Sequence, residues 1–147
     1  MRATKLAIPL LAAGLFLSAS AASVQAQSYA QTVWNQLQAV YGAVNQNDYR
    51  LQNYIVGRLD DSATDSWTFH LSAGTSYMII GACDEDCADI DMVVRDENGR
   101  VVAEDSADDD VPVVQFTPTS SGRFSIRTTM YDCRAAYCYF GFGLFER

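Results

Sequence analysis

Basic residues are scarce in this chain of 147 residues. It holds one lysine (Lys5), one histidine (His70) and nine arginines against 18 acids, for a formal net charge of −8. Phosphate recognition needs clustered Lys and Arg, so nucleic acid is excluded as a partner and anionic membrane surfaces are disfavoured. Catalytic patterns are lacking too. His70 falls inside the strand-like run WTFHL with no nucleophile–base pattern beside it, and Ser120-Ser121-Gly122 is a turn, not a G-x-S-x-G elbow. The cysteine spacings are C-x3-C and C-x4-C, neither of which is the C-x-x-C of a redox site. EF-hand loops, glycine-rich calcium-binding nonapeptides, internal repeats and low-complexity tracts are all missing. The chain is not expected to be an enzyme.

What is present begins with an export signal. Arg2 and Lys5 form a cationic head, LAIPLLAAGLFLSASAA is apolar, and Val24-Gln25-Ala26 supplies small residues, so cleavage is expected after Ala26. The apolar run is too short to span a bilayer as a mature helix, and with Cys83 as the first cysteine there is no lipobox. The expected location is periplasmic or secreted, not the membrane. About 120 residues remain, enough for one domain with a useful core. Losing Arg2 and Lys5 takes the net charge from −8 to −10 and leaves no lysine. Cations or basic protein faces are the natural counterparts of such a chain.

The periodicity changes once along the remaining residues. Tyr29, Val33, Trp34, Leu37, Val40, Tyr41 and Val44 form one stripe of an amphipathic helix over 27–47, with Ser28 as its cap. That stripe either packs on the following domain or docks on a partner. From residue 50 the period is two. NYIVGRL, DSWTFHL, SYMIIGAC, DIDMVVRD, RVVAED, VPVVQFTP, GRFSIRTTMY and YCYFGFGLF read as strands with turn chemistry between them, which predicts an antiparallel β-sandwich over 50–147. Asn98-Gly99 is the clearest hairpin, because both residues tolerate positive φ. In the last strand Gly141 and Gly143 share a face opposite Phe140, Phe142 and Leu144, leaving room for another element to approach, with Trp34 as a candidate.

Strand parity places the acid. Antiparallel strands alternate in direction, so the 60–65, 83–88, 105–111 and 132–137 loops share one end. That end collects Asp60, Asp61, Asp65, Asp84, Glu85, Asp86, Asp89, Asp105, Asp108, Asp109, Asp110 and Asp132, which is 12 of the 18 acids. Like charges so crowded repel unless neutralised, and calcium suits flexible carboxylate loops. Asp84, Asp86, Asp89, Asp108 and Asp110 are the candidate ligands; a solvated acidic rim is the simpler reading. Within DIDM, Asp89 is set to cap loop amides or bind the ion, and Asp91 to bond a neighbouring strand.

Four cysteines in an exported chain of this size make two disulfides more readily than a zinc site. Both pairs lie in loops of the acidic end, so local and cross-loop connectivities are open. Loop-closure entropy favours long cross-links, whereas local pairs form sooner and need no alignment of two loops. Cys83–Cys87 with Cys133–Cys138 is the preferred pairing.

The run from Asp65 to Thr129 also resembles a known family. W-T-F-x-L-x-A-G-x-x-Y, D-I-D-M-V-V-x-D-x-x-G-x-V-V-A and F-x-P-x-x-S-G-R-F-x-I, in that order, are similar to the bacterial pre-peptidase C-terminal domains, over roughly residues 54–145. The resemblance implies a jelly-roll-like sandwich, commonly appended to secreted proteases, with calcium bound in some relatives and a fold shared with collagen-binding modules. Here only a signal and a helix precede the domain, so the role of a protease appendage and collagen binding do not carry over. The expected function is an exported, non-catalytic binding module, with calcium or a basic protein, peptide or extracellular polymer at its acidic end. Two alternatives are an envelope component that docks a partner through its helix, and a carboxylate hydrolase acting on an envelope polymer.

Overall fold

A computed structural model of the chain describes residues 21–147, with side chains from residue 27. Residues 1–20 of the expected signal lie outside the described residues. One helix, α1 (Ala21–Asn45), precedes eight strands: β1 (Arg50–Asp60), β2 (Thr64–Leu71), β3 (Tyr77–Cys83), β4 (Cys87–Arg95), β5 (Val101–Asp105), β6 (Val113–Phe116), β7 (Gly122–Cys133) and β8 (Tyr137–Glu146). They form two antiparallel sheets of four, ordered β1-β8-β3-β6 and β2-β7-β4-β5. The expected all-β sandwich preceded by a helix is thus the fold.

Period-two patterning decides which side chains meet between the sheets. Ile79, Phe140, Phe142 and Leu144 face inward from the first sheet, and Ile90, Met92, Val94, Ile126 and Met130 from the second. Trp67 packs across the gap against Phe140 (5.6 Å between centroids) and Phe142 (5.4 Å). These large aromatic surfaces, removed from water, supply most of the drive to close the sandwich.

Helix α1 lies on the outer face of the first sheet, so its apolar stripe packs within the chain. Val33 and Leu37 bury against Ala82, with Val56 and Tyr139 beside them, while Val44 buries with Tyr49, Ile80 and Phe145. Gly141 makes this approach possible: a Cβ there would meet Ile55 O at 2.8 Å, Leu37 Cδ1 at 2.9 Å and Val33 Cγ1 at 3.0 Å. Trp34 is not the side chain over the glycine; it lies on Tyr54, with centroids 4.9 Å apart. Ser28 is not a cap either. The Ala-rich stretch before it contains no breaker, and the helix already runs from Ala21.

At the Asn98-Gly99 hairpin only Gly99 has positive φ (78°). Asp96 Oδ1 accepts the amides of Asn98 and Arg100, so an aspartate-capped turn replaces the two-residue positive-φ turn.

Candidate functional site

The four loops expected to share one end are hydrogen-bonded to one another there. The β1–β2 turn joins the β7–β8 loop, with the Cys133 amide donating to Asp61 Oδ1 (3.0 Å) and the Met130 amide to Ala63 O (2.9 Å). The β3–β4 loop joins the same segment, with the Asp84 amide donating to Tyr139 O (2.9 Å) and the Arg134 amide to Asp86 O (2.8 Å). The β5–β6 loop is tied in through Ile90 N to Asp109 O (3.1 Å) and Gly81 N to Pro112 O (2.8 Å).

Both disulfides close crossings between the two sheets at this end. Cys83–Cys87 joins β3 to β4, and Cys133–Cys138 joins β7 to β8, each with Cα atoms 5.9 Å apart. This is the preferred local pairing. Because Cys87 and Cys133 are register partners on adjacent strands, the two bridges form one buried seam.

Several carboxylates prove to be loop fasteners. Asp84 is only 3% exposed; its Oδ2 accepts the Tyr139 amide (2.7 Å) and its Oδ1 the Asp86 amide (3.2 Å). Burial raises its pKa, and the amide bonds from Tyr139 and Asp86 pull the other way. Asp105 accepts from Ala107 and Val113, and Asp109 accepts from Val111. Sequence reasoning counted Asp61, Asp105 and Asp109 only as acids; for Asp105 and Asp109 the signal available was their position, two residues before amides left free by a turn, whereas Asp61 accepts an amide 72 positions away and gave no local signal.

The five expected ligands separate. Asp84 is spent on amides, with Asp86 beside it. Asp89 stands elsewhere, among Asp108, Asp109 and Asp132; burial first, then those three charges, raise its pKa, partly offset by the Asp109 amide. Its Oδ1 is buried and without a hydrogen bond. Asp110 is exposed in the same loop as Asp108. Among the described residues no three acids, histidines or cysteines gather closely enough to hold a metal ion. Asp91 forms no bond to a neighbouring strand; burial, then Asp89, Asp105 and Glu104, raise its pKa.

Charge is segregated along the long axis. Arg50, Arg95, Arg100, Arg123 and Arg147 lie toward the opposite end, where the one ion pair among the described residues, Arg100–Asp96 (2.7 Å), is found. His70 is exposed near that end too, in register with Arg123. Among the described residues the acidic end carries two arginines: Arg134, exposed in the β7–β8 loop, and Arg58, which sits 4.5 Å from the centroid of the Tyr137 ring instead of on a carboxylate.

No protein-family profile and no curated protein sequence matches the chain. Solved structures do. The fold is similar to the pre-peptidase C-terminal domain of a collagenase from Bacillus anthracis (TM-score 0.51, 18% identity, 64% of this chain and 89% of that one). It is also similar to PliG of Aeromonas hydrophila, a periplasmic inhibitor of g-type lysozyme (TM-score 0.50, 13% identity, 65% of this chain and 85% of that one). At these identities the likeness concerns the fold, and at that level the resemblance to pre-peptidase C-terminal domains holds.

Proposed function

We propose that the chain is an exported, non-catalytic β-sandwich module that binds a basic protein through its acidic loop end. The observation that carries this reading is the charge segregation: carboxylates crowd one end without an ion pair, while the described ion pair lies at the other. Complementary charge raises encounter rates and selects partners, and loops already fastened by disulfides and amide bonds lose little entropy on binding. Two disulfides, with no described helix long and apolar enough to cross a membrane, support export. A non-catalytic role is supported by the placement of the clustered carboxylates on open loops without an apolar cleft. Val33, Leu37 and Val44 of the α1 stripe are buried against the sheet, although Tyr41 stays exposed, which weakens the reading of a helix that docks on a partner.

One structural neighbour inhibits a g-type lysozyme, so such an enzyme is the first partner to test. Titration of the mature, oxidised protein into a g-type lysozyme at low salt is expected to show saturable binding. That binding should weaken steeply with ionic strength and with Asp108→Asn plus Asp110→Asn. Absence of binding to this enzyme or to any basic protein at low salt would sink the proposal.

Calcium is the second reading, favoured by the unbonded Oδ1 of Asp89 beside Asp108. It predicts a calcium-selective rise in the unfolding midpoint with no equal effect of magnesium, growing with the logarithm of concentration.

A further inference from the structure

Helix α1 covers the outer face of one sheet, and the other sheet's outer face is bare. Near the acidic end of that bare face Ser62, Thr129 and Tyr131 line a shallow pocket of about 340 Å³. Tyr131 is 62% exposed, more than any other large apolar side chain described. Its ring has neither an aromatic nor a cationic neighbour among the described residues. Tyr137 and Tyr49 differ, with Arg58 and Arg147 placed 4.5 and 4.8 Å from their ring centroids.

Hydroxyl and carboxylate side chains adjoin the pocket. Thr129 is the register partner of Asp91 on one side and Thr64 on the other, and the two threonine hydroxyls are 3.2 Å apart. Asp91 has no hydrogen-bond or ion-pair partner among the described residues. Ser62, at the rim, is held at φ 60°, a conformation glycine adopts with less strain. The face's own cations are Arg95, Arg123 and Arg127; Arg127 is two residues from Thr129 along β7, and the other two lie farther toward the opposite end.

We propose that this pocket receives an arginine side chain of a basic protein partner, stacked on Tyr131 and hydrogen-bonded to the Ser62 and Thr129 hydroxyls and the Asp91 carboxylate. Guanidinium is planar, stacks on aromatic faces and presents several donors at once, whereas an ammonium is a compact, strongly hydrated point charge. The inference rests on the reading that the acidic end binds a basic protein, and it places the anchor on the sheet face instead of the loop tips.

The probe is a hexa-arginine peptide, titrated into the isotope-labelled mature protein and followed by amide and side-chain NMR shifts, with hexalysine in parallel. The largest shifts are expected at Ser62, Thr129, Tyr131 and Asp91. Tyr131→Ala and Asp91→Asn should each weaken binding roughly tenfold, with Tyr131→Phe retaining it, since a stacked cation contributes about that much. Equal affinity for hexalysine overturns the arginine assignment. Shifts confined to residues 84–86 and 105–110, and indifferent to Tyr131→Ala, overturn the pocket while the acidic-end reading stands. Failure of both peptides to bind overturns both.

Discussion

Asp84 and Thr128 are the two buried polar side chains of the domain, at 3% and 0% exposure, and they differ in standing. Asp84 accepts two amides, so Asp84→Ala would leave the Tyr139 and Asp86 N–H groups unmade and cost about 1–3 kcal/mol. Thr128 Oγ1 is buried without a partner among Met92 and its neighbours, so Thr128→Val should be neutral or raise stability by up to about 1 kcal/mol. Urea denaturation of both variants checks the contrast, and a large loss in Thr128→Val would show that its hydroxyl is bonded. The role of Asp84 was not legible in the sequence. Its chief donor, Tyr139, is 55 positions away and comes into reach only when β3 and β8 pair. Charge type and loop position could be read from the chain, and on those grounds Asp84 looked like a ligand.

At the scale of elements, the seating of α1 depends on one missing methyl group. Gly141 leaves room for Val33 and Leu37, and a Cβ would also press on the Ile55 carbonyl, which cannot rotate away. Gly141→Ala is expected to destabilise by about 1–3 kcal/mol through overpacking. Hydrogen exchange along α1 should accelerate before exchange in β7 does, because the sandwich core lies on the other side of the sheet. Uniform acceleration through both sheets would mean that helix and sandwich open as one unit. The helix stripe, the eight strands and the glycine face were legible because periods of 3.6 and two report which side chains share a face. The side chain over the glycine was not, because the rotation of a helix about its axis is set by packing: the surface favoured Val33 and Leu37, and Trp34 turned to Tyr54. The disulfide pairing was legible in part. Local closure was the simpler choice, but that both bridges cross between sheets follows only from β3 and β8 lying in one sheet and β4 and β7 in the other.

At the scale of the molecule, strand parity alone brought the acidic loops together, since the direction of each strand fixes the end at which its loop emerges. The stability of a body so polarised depends on pH. Asp84, Asp89 and Asp91 all have pKa values raised above 3.8, mainly by burial, with neighbouring carboxylates adding to each. A raised carboxyl binds its proton more tightly folded than unfolded. Its contribution is therefore fully present below the unfolded value and lost as pH rises through the folded one. Asp96 acts oppositely: burial is the largest single influence and raises it, but the hydrogen bonds from the Arg100 side chain and the Arg100 and Asn98 amides, with the Arg100 charge, together hold it below 3.8, so its contribution is present above that value and lost on acidification. The raised groups act above 3.8 and Asp96 below it, so stability should rise as pH falls toward the folded values of Asp84, Asp89 and Asp91 and then fall in stronger acid. Thermal unfolding of the mature, disulfide-intact protein at low salt should give a higher midpoint at about pH 5 than at about pH 8. High salt should narrow the gap by screening the repulsion from Asp108, Asp109 and Asp132, but not close it, because burial is the larger cause at Asp89. Asp89→Asn should flatten the profile and raise the midpoint at neutral pH. A midpoint that climbs steadily from pH 5 to 8 would show that the crowded carboxylates are neutralised in the folded protein, by a bound cation or by pairs formed in solution, and the calcium titration would then separate the two.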